Sequence, residues 1–355
     1  MSVGGDGRRL VLHVGTMKSG TSHLQGLLFT NQELLARRGV LVPGQVWRDQ
    51  VDAVAEALGW TGRRAERRGG VWPAMVEQVR SHPGTSIISM EYLARIPVAR
   101  IEELVAHFPQ VRVEAVLTAR DLGRNVPAMW QERVKNGSTT SFDDYVRAVR
   151  ERSEGEGKAF WREQNVVAAT RRWVEVLGPD AVTVVTVPAP GAPRDVLWRR
   201  FAEAVGVEAT GLEDPPLGNE SLGAASAELL RRLNTRWDPS AGPTAAEVLK
   251  HRLARGILGP HRSLEPAIGF EVPDWLEEIS RRTVRRLPEL GVRVVGDAAD
   301  LRAVPSPGTA PHEVALADQL EAATVGLQGL VLKVADLREE LRQERARAGH
   351  GPKSC

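Results

Sequence analysis

An apolar run at residues 9–14, RLVLHV, stops at Gly15 and gives way to a loop of small hydroxyl-bearing residues. From Thr21 a helical period takes over, with Leu24, Leu27, Leu28, Leu34 and Leu35 on roughly one side. A buried strand that passes through glycine straight into a helix is the start of a βαβ unit, which restricts the choice of fold more than any other feature of the chain. Further buried-strand candidates are TSIISM at 85–90, VRVEAVLT at 111–118 and AVTVVTV at 181–187. The second leads into a helix around 126–134, and the third is stopped by PAPGAP and followed by a helix from Arg194 to about Val205. Because these β-branched runs do not alternate with polar residues, both faces of the sheet should be covered. The expectation is an α/β three-layer sandwich around a central parallel sheet.

Composition narrows the setting. Of 355 residues, 42% are hydrophobic and 26% charged, which excludes wholesale disorder. No apolar run approaches the ~18 residues needed to span a bilayer, and MSVGGDGRRLVLHVG has too short an apolar core for a secretory signal. Cys355 is the only cysteine, so a disulfide framework and a cysteine-ligated zinc site are both excluded. These features point to the cytoplasm. A net charge of +2 is too small for a protein that coats nucleic acid. Only six of the 47 basic residues are lysines, so most arginines read as solvated surface. A lone lysine in a glycine-bearing loop stands out against that background.

Beyond the turn-rich GLEDPPLG at 211–218 the chain reads as mainly helical to about Leu287, and GVRVVGD at 291–297 closes the region. The expected organisation is a domain over 1–302, a linker at 303–310 (AVPSPGTA lies across it), a heptad helix over 311–347 and a disordered tail over 348–355. Leu316, Leu320, Ala323, Leu327, Leu330, Val334, Leu337 and Leu341 recur with 4-3-4-3-4-3-4 spacing, the seam of a coiled coil. It predicts either a homo-oligomer joined through 316–341 or a helix folded back on its own domain, and Gly326 and Gly329 weaken a long free helix.

The loop itself reads VGTMKSGTSHLQ over 14–25. Glycine between a buried strand and a helix turns backbone amides toward one spot, and the helix N-terminus adds partial positive charge. The result is an anion cradle, or else an ordinary tight turn; Lys18, Ser19, Thr21 and Ser22 favour the cradle by adding one charge and three hydroxyls. Gly15 and Gly20 have the separation of a Walker A loop, GxxxxGK[ST], but Thr21 stands where its lysine belongs. Lys18 lies inside the loop instead, where it can reach the oxygen that bridges a transferred group and a leaving phosphate. The fold expected is therefore P-loop-like, while an ordinary kinase or NTPase is disfavoured.

This loop resembles the 5′-phosphosulfate loop, TxKSGT, of sulfotransferases that use 3′-phosphoadenylyl sulfate (PAPS). LTARDLGRNVPAMWQERVKNG at 117–137 resembles that family's second motif, which opens with an arginine for the cofactor's 3′-phosphate. VTVPAPGAP, NESLG and VVGD at 185–193, 219–223 and 294–297 resemble landmarks of a bacterial, actinomycete-like branch. The resemblance covers about residues 8–302. It implies cofactor binding by Thr16, Lys18, Ser19, Gly20, Thr21, Ser22, His23 and Arg120, with Lys18 also catalytic, PAPS as cofactor, 3′-phosphoadenosine 5′-phosphate (PAP) as product and no metal. The rival reading of Arg120 is a surface ion pair with Asp121. The family's motif carries a serine eight residues after the arginine, where this chain has Ala128. A hydroxyl on a charged phosphate contributes about 1.5–3 kcal/mol, so its loss weakens affinity roughly ten- to a hundredfold. Either the cofactor binds loosely, or a donor such as Asn125 takes over, or turnover is lost.

An acceptor hydroxyl must lose a proton as it attacks sulfur. Glu91, just past a strand at the sheet edge where α/β ligands bind, lies where the resemblance places a catalytic base; the alternative is a carboxylate capping Tyr92-Leu93-Ala94. His13 reads as a core histidine more readily than as a base. His23 either stacks on adenine, as the resemblance suggests, or lies on the helix surface. Trp130 belongs to an acceptor pocket or to the core. RSEGEGK at 152–158 is a lid or a solvated loop, and TGRRAERRGG at 61–70 a solvated loop. The function expected is sulfuryl transfer from PAPS to a hydroxyl or amine of a small-molecule acceptor, without nucleic acid or membrane partners. The alternatives are a catalytically impaired nucleotide-binding scaffold that oligomerises through its C-terminal helix, and, less favoured, a P-loop kinase.

Overall fold

Six parallel strands lie in the order β2-β3-β1-β4-β5-β6. They are β1 (Arg9–His13), β2 (Val40–Leu41), β3 (Thr85–Ser89), β4 (Arg112–Ala119), β5 (Val182–Thr186) and β6 (Arg293–Val295). The structure, a computed structural model, describes residues 7–60, 69–215, 221–236 and 242–349. Most of the 61–70 segment, the first two residues of NESLG and the tail from 350 lie outside the described residues.

Helices cover both faces of the sheet, as the unalternating strands require. They are α1 (Thr21–Thr30), α2 (Gln32–Arg37) and α10 (Val196–Val205) on one face, and α3 (Trp47–Ala57), α4 (Val71–Ser81), α5 (Val98–Ala106) and α9 (Val166–Leu177) on the other; α6 (Leu122–Lys135), α7 (Phe142–Glu151) and α8 (Glu156–Gln164) lie in the chain between β4 and α9. Successive residues of β1 point to opposite sides. Leu10 and Leu12 join Ala115, Leu117 and the apolar faces of α3, α4, α5 and α9 in one core layer. Val11 joins Ile87, Val116 and Val185 beneath α1, α2 and α10 in the other. This is the α/β, three-layer, P-loop-like sandwich expected. The four long strands begin and end within two residues of the expected positions. The two-residue β2 carries too short a pattern to be read.

The boundaries of the units differ from the expected single domain at 1–302. Contacts divide the chain into one unit of residues 1–129, 146–218 and 271–304, which holds the sheet, and a second of 130–145, 219–270 and 305–355. The second contains α11 (Ala224–Thr235), α12 (Gly242–Glu247), a π-helical turn over Val248–Leu258, α13 (Gly259–His261) and the long α15 (Leu316–Gly349); α14 (Asp274–Arg286) belongs to the first. The segment read as a linker is held in place. Phe270 and Ser306 exchange backbone hydrogen bonds of 2.9 Å, and Thr309 pairs with 267–269.

Helix α15 carries parts of both readings of its heptads. Its first half lies on α11 and the 248–258 turn, with Gln319 and Ala322 buried. Gly326 and Gly329 allow close approach, since a Cβ on Gly329 would overlap Ile257. Yet Leu316, Leu320, Leu327, Val334, Leu337 and Leu341 of the seam remain 47–73% exposed. Trp130 is fully buried, donates its indole N–H to Thr140 O at 3.0 Å and meets Phe142 edge to face, so it is a core residue of the second unit and not a pocket wall. Residues 152–158 join α7, which ends at Glu151, to α8, which begins at Glu156, with Gly155 between at φ 75.

Candidate active site

The site lies beyond the carboxyl ends of β3, β1 and β4, where the chain leaves the central strand β1 toward β2 on one side and later returns to β4 on the other, a switch point for ligands in open sheets. Gly15 opens the loop. A Cβ there would overlap Thr118 Oγ1 and Thr21 Cγ2, so no other residue fits without displacing both threonines. Lys18 and Gly20 both hold left-handed backbone, at φ 63 and φ 82. For glycine this is easy, but for lysine it costs on the order of 1–3 kcal/mol, and such strain gathers at functional sites.

The loop is anchored from below. Thr16 N donates to Thr118 O at 2.9 Å, and Ser19 Oγ donates to Thr16 O at 2.5 Å and lies 2.8 Å from Thr118 Oγ1. Thr16 and Ser19 are buried. Their hydroxyls therefore hold the loop in shape. Thr21 is likewise buried, its methyl against the Gly15 backbone. The loop also carries the exposed hydroxyl of Ser22 and the partly exposed Lys18. No side chain caps α1; His23 N turns to Gly20 O at 3.1 Å, while the amides of Thr21 and Ser22 precede any intrahelical partner. Gln164 Nε2 donates to Met17 O at 2.9 Å and Arg120 Nη1 to Lys18 O at 3.4 Å, fixing the outer wall of the loop.

Arg120 is not paired with Asp121. Asp121 is fully buried and takes the backbone N–H of Arg124 at 2.9 Å and its guanidinium. The Nε of Arg120 is buried without a partner. Burial, with the like charge of Arg124 adding to it and Asp121 opposing, lowers the guanidinium to about 10, which leaves it charged at neutral pH. Asn125 does not replace the missing serine: its amide donates to Gln164 Oε1 at 2.7 Å, and the buried atom left unpaired is its carbonyl Oδ1, an acceptor.

Glu91 opens the short 3₁₀ turn Glu91–Arg95 immediately after β3. Its carboxylate accepts from Gln25 Nε2 at 3.0 Å and caps none of the turn's amides. His13 is fully buried between Ser89 Oγ at 2.7 Å and Thr118 Oγ1 at 3.1 Å, with Phe201 edge-on at 4.9 Å. Desolvation lowers it to about 3, so it is a core histidine. His23 is half-buried and its pKa lowered, mainly by burial, with Arg194 adding and Asp214 opposing. Sequence reasoning missed Gln25, Thr118 and Gln164. Their available signals were the position of Gln25 one turn after Thr21, that of Thr118 two residues before Arg120, and none for Gln164.

The later landmarks also gain a physical reading. Gly296, at φ 95, sits where a Cβ would overlap Thr186 Oγ1, and Asp297 caps the turn after it by accepting from Ala299 N at 2.8 Å. Pro188 O accepts from Arg124 Nη2 at 3.0 Å. These residues brace the site's surroundings without entering it. Among the described residues no group of three or more His, Cys, Asp or Glu is placed to hold a metal, and no helix is long and apolar enough to cross a membrane.

No protein-family model and no curated protein matches the chain. Among solved structures, a sulfotransferase from Alicyclobacillus acidocaldarius aligns with 17% identity and a TM-score of 0.41, over 69% of this chain and 96% of its own.

Proposed function

We propose that the chain is a PAPS-dependent sulfotransferase acting on a hydroxyl or amine of a small-molecule acceptor. One observation carries the reading: a lysine is held in left-handed backbone inside a glycine-flanked loop, in front of a helix start that no side chain caps. A Walker loop places its lysine one residue before the hydroxyl that binds magnesium, whereas Thr21 has no lysine before it and its side chain is buried. The residues fit an anhydride of phosphate and sulfate, with bare amides and Lys18 for the bridging end and Arg120, its Nε unpaired, for a distal phosphate.

PAPS, when bound, supplies the sulfuryl group. The protein's own contribution is positioning and charge stabilisation, by analogy with phosphoryl transfer. Lys18 stabilises the negative charge that develops on the leaving oxygen. Arg120 neutralises the distal phosphate, where a planar guanidinium offers two parallel donors. Glu91 takes the acceptor's proton, and Gln25 holds the carboxylate in position from α1.

A second reading, a nucleotide-binding scaffold without turnover, is favoured by Ala128 together with the commitment of Asn125 to Gln164. Thermal shift with ligand decides the nucleotide class, since a ligand at a hundred times its Kd stabilises by about 2.7 kcal/mol. The expected result is a rise in Tm with PAP and none with ATP and magnesium; the reverse makes the protein a kinase-like NTPase. Turnover of labelled PAPS then separates enzyme from scaffold.

A further inference from the structure

Beside the loop, and within the same unit, lies a cavity of about 180 Å³ walled by α9, α14, Trp161 and Leu301. Five arginines line it, at 120, 152, 171, 282 and 286, and no aspartate or glutamate does. Of these five, only Arg282 is ion-paired with an acid among the described residues. Arg282 bonds Glu278, but among the described residues the side chains of Arg171 and Arg286 make no hydrogen bond or ion pair. Arg152 is set deliberately: its backbone is left-handed at φ 55, and its guanidinium lies 4.7 Å over the Trp161 ring. The Trp161 indole is fixed in turn by donating to Val149 O at 2.7 Å. The first turn of α9 also lines the cavity. Asn165 accepts from Ala168 N there, and the Val166 and Val167 amides precede any intrahelical partner.

Gathering like charges around one concavity is unfavourable unless an anion joins them. We propose that this cavity binds a phosphate or sulfate group, with Arg171 and Arg286 as its gripping residues and Arg120 shared with the loop. The group has two sources of the same chemistry: the distal phosphate of a bisphosphate nucleotide, which would make good the hydroxyl missing at Ala128, or an acidic group on a second small molecule. The cavity does not require the nucleotide reading above, although its first source does.

Calorimetry on the full chain, with PAP, AMP and inorganic sulfate as titrants, tests the proposal. The double variant Arg171→Gln/Arg286→Gln is compared with wild type and with Arg171→Lys/Arg286→Lys, which keeps the charge. Both positions are exposed, and circular dichroism checks the fold. If the distal phosphate fills the cavity, wild type prefers PAP over AMP and the glutamine variant loses about tenfold or more of that preference, with partial recovery in the lysine variant. If a separate acidic group fills it, sulfate still binds wild type saturated with PAP and the glutamine variant abolishes that binding. Equal binding of all three titrants by wild type and the glutamine variant overturns the cavity proposal and leaves the proposed function standing. Wild type that binds sulfate but not PAP sinks the function and not the cavity, and wild type that binds none of the three sinks both.

Discussion

Gln25 donates to Glu91 across 3.0 Å, joining the helix that starts at the phosphate loop to the end of β3. The cradle and the candidate base are thus held by one hydrogen bond. Glu91→Gln should lower turnover by roughly 10²–10⁴, the usual share of a general base, with PAP affinity unchanged by calorimetry. Gln25→Leu should lower turnover less, with PAP affinity unchanged. A Glu91→Gln enzyme with full activity would make the carboxylate structural.

Gly15 stands where any Cβ would overlap two buried threonines. Threonine is stiff at χ1 and has little room to yield. Gly15→Ala should therefore lose about 1–3 kcal/mol in urea denaturation, the range for overpacking. It should also weaken PAP binding, because Thr118 anchors Thr16 and Ser19.

His13 ties stability to pH. Its folded pKa of about 3 lies below the unfolded 6.5. Above pH 6.5 neither state holds the proton; between 6.5 and 3 the unfolded chain binds it and the folded chain does not, so stability falls as pH falls through that window. The slope approaches about 1.4 kcal/mol per pH unit. Urea midpoints between pH 7.5 and 5 should drop more steeply for wild type than for His13→Gln. Parallel curves would contradict the buried neutral imidazole.

The seam leucines left in water on α15 make self-association through 316–341 the expected solution behaviour. Sedimentation of the full chain should give a dimer or higher state, and Leu337→Lys/Leu341→Lys should give a monomer without loss of secondary structure. A monomeric wild type would leave the heptads as a solvated face.

The layered fold was legible because strands covered on both faces need no alternation and announce themselves as β-branched runs. β2 has only two residues, and β6 is three residues within a landmark. In the site, Lys18 and Arg120 were legible as charges in otherwise small-residue or apolar settings. The anchoring of Ser19 was not legible, because its hydroxyl turns to Thr118, 99 residues away in the chain. The same holds for Gln164, whose partner Met17 is 147 residues distant. The arginine cavity was hidden by composition: with arginine so abundant, the sequence does not show which five converge.

The central claim is that the ammonium of Lys18 serves a phosphosulfate anhydride. Lys18→Gly is the sharpest probe, since glycine accepts φ 63 without strain while the side chain and its charge are removed. With labelled PAPS and a panel of hydroxyl acceptors, wild type should transfer label and the glycine variant, folded and at least as stable, should not. Transfer at the wild-type rate by Lys18→Gly would contradict the account.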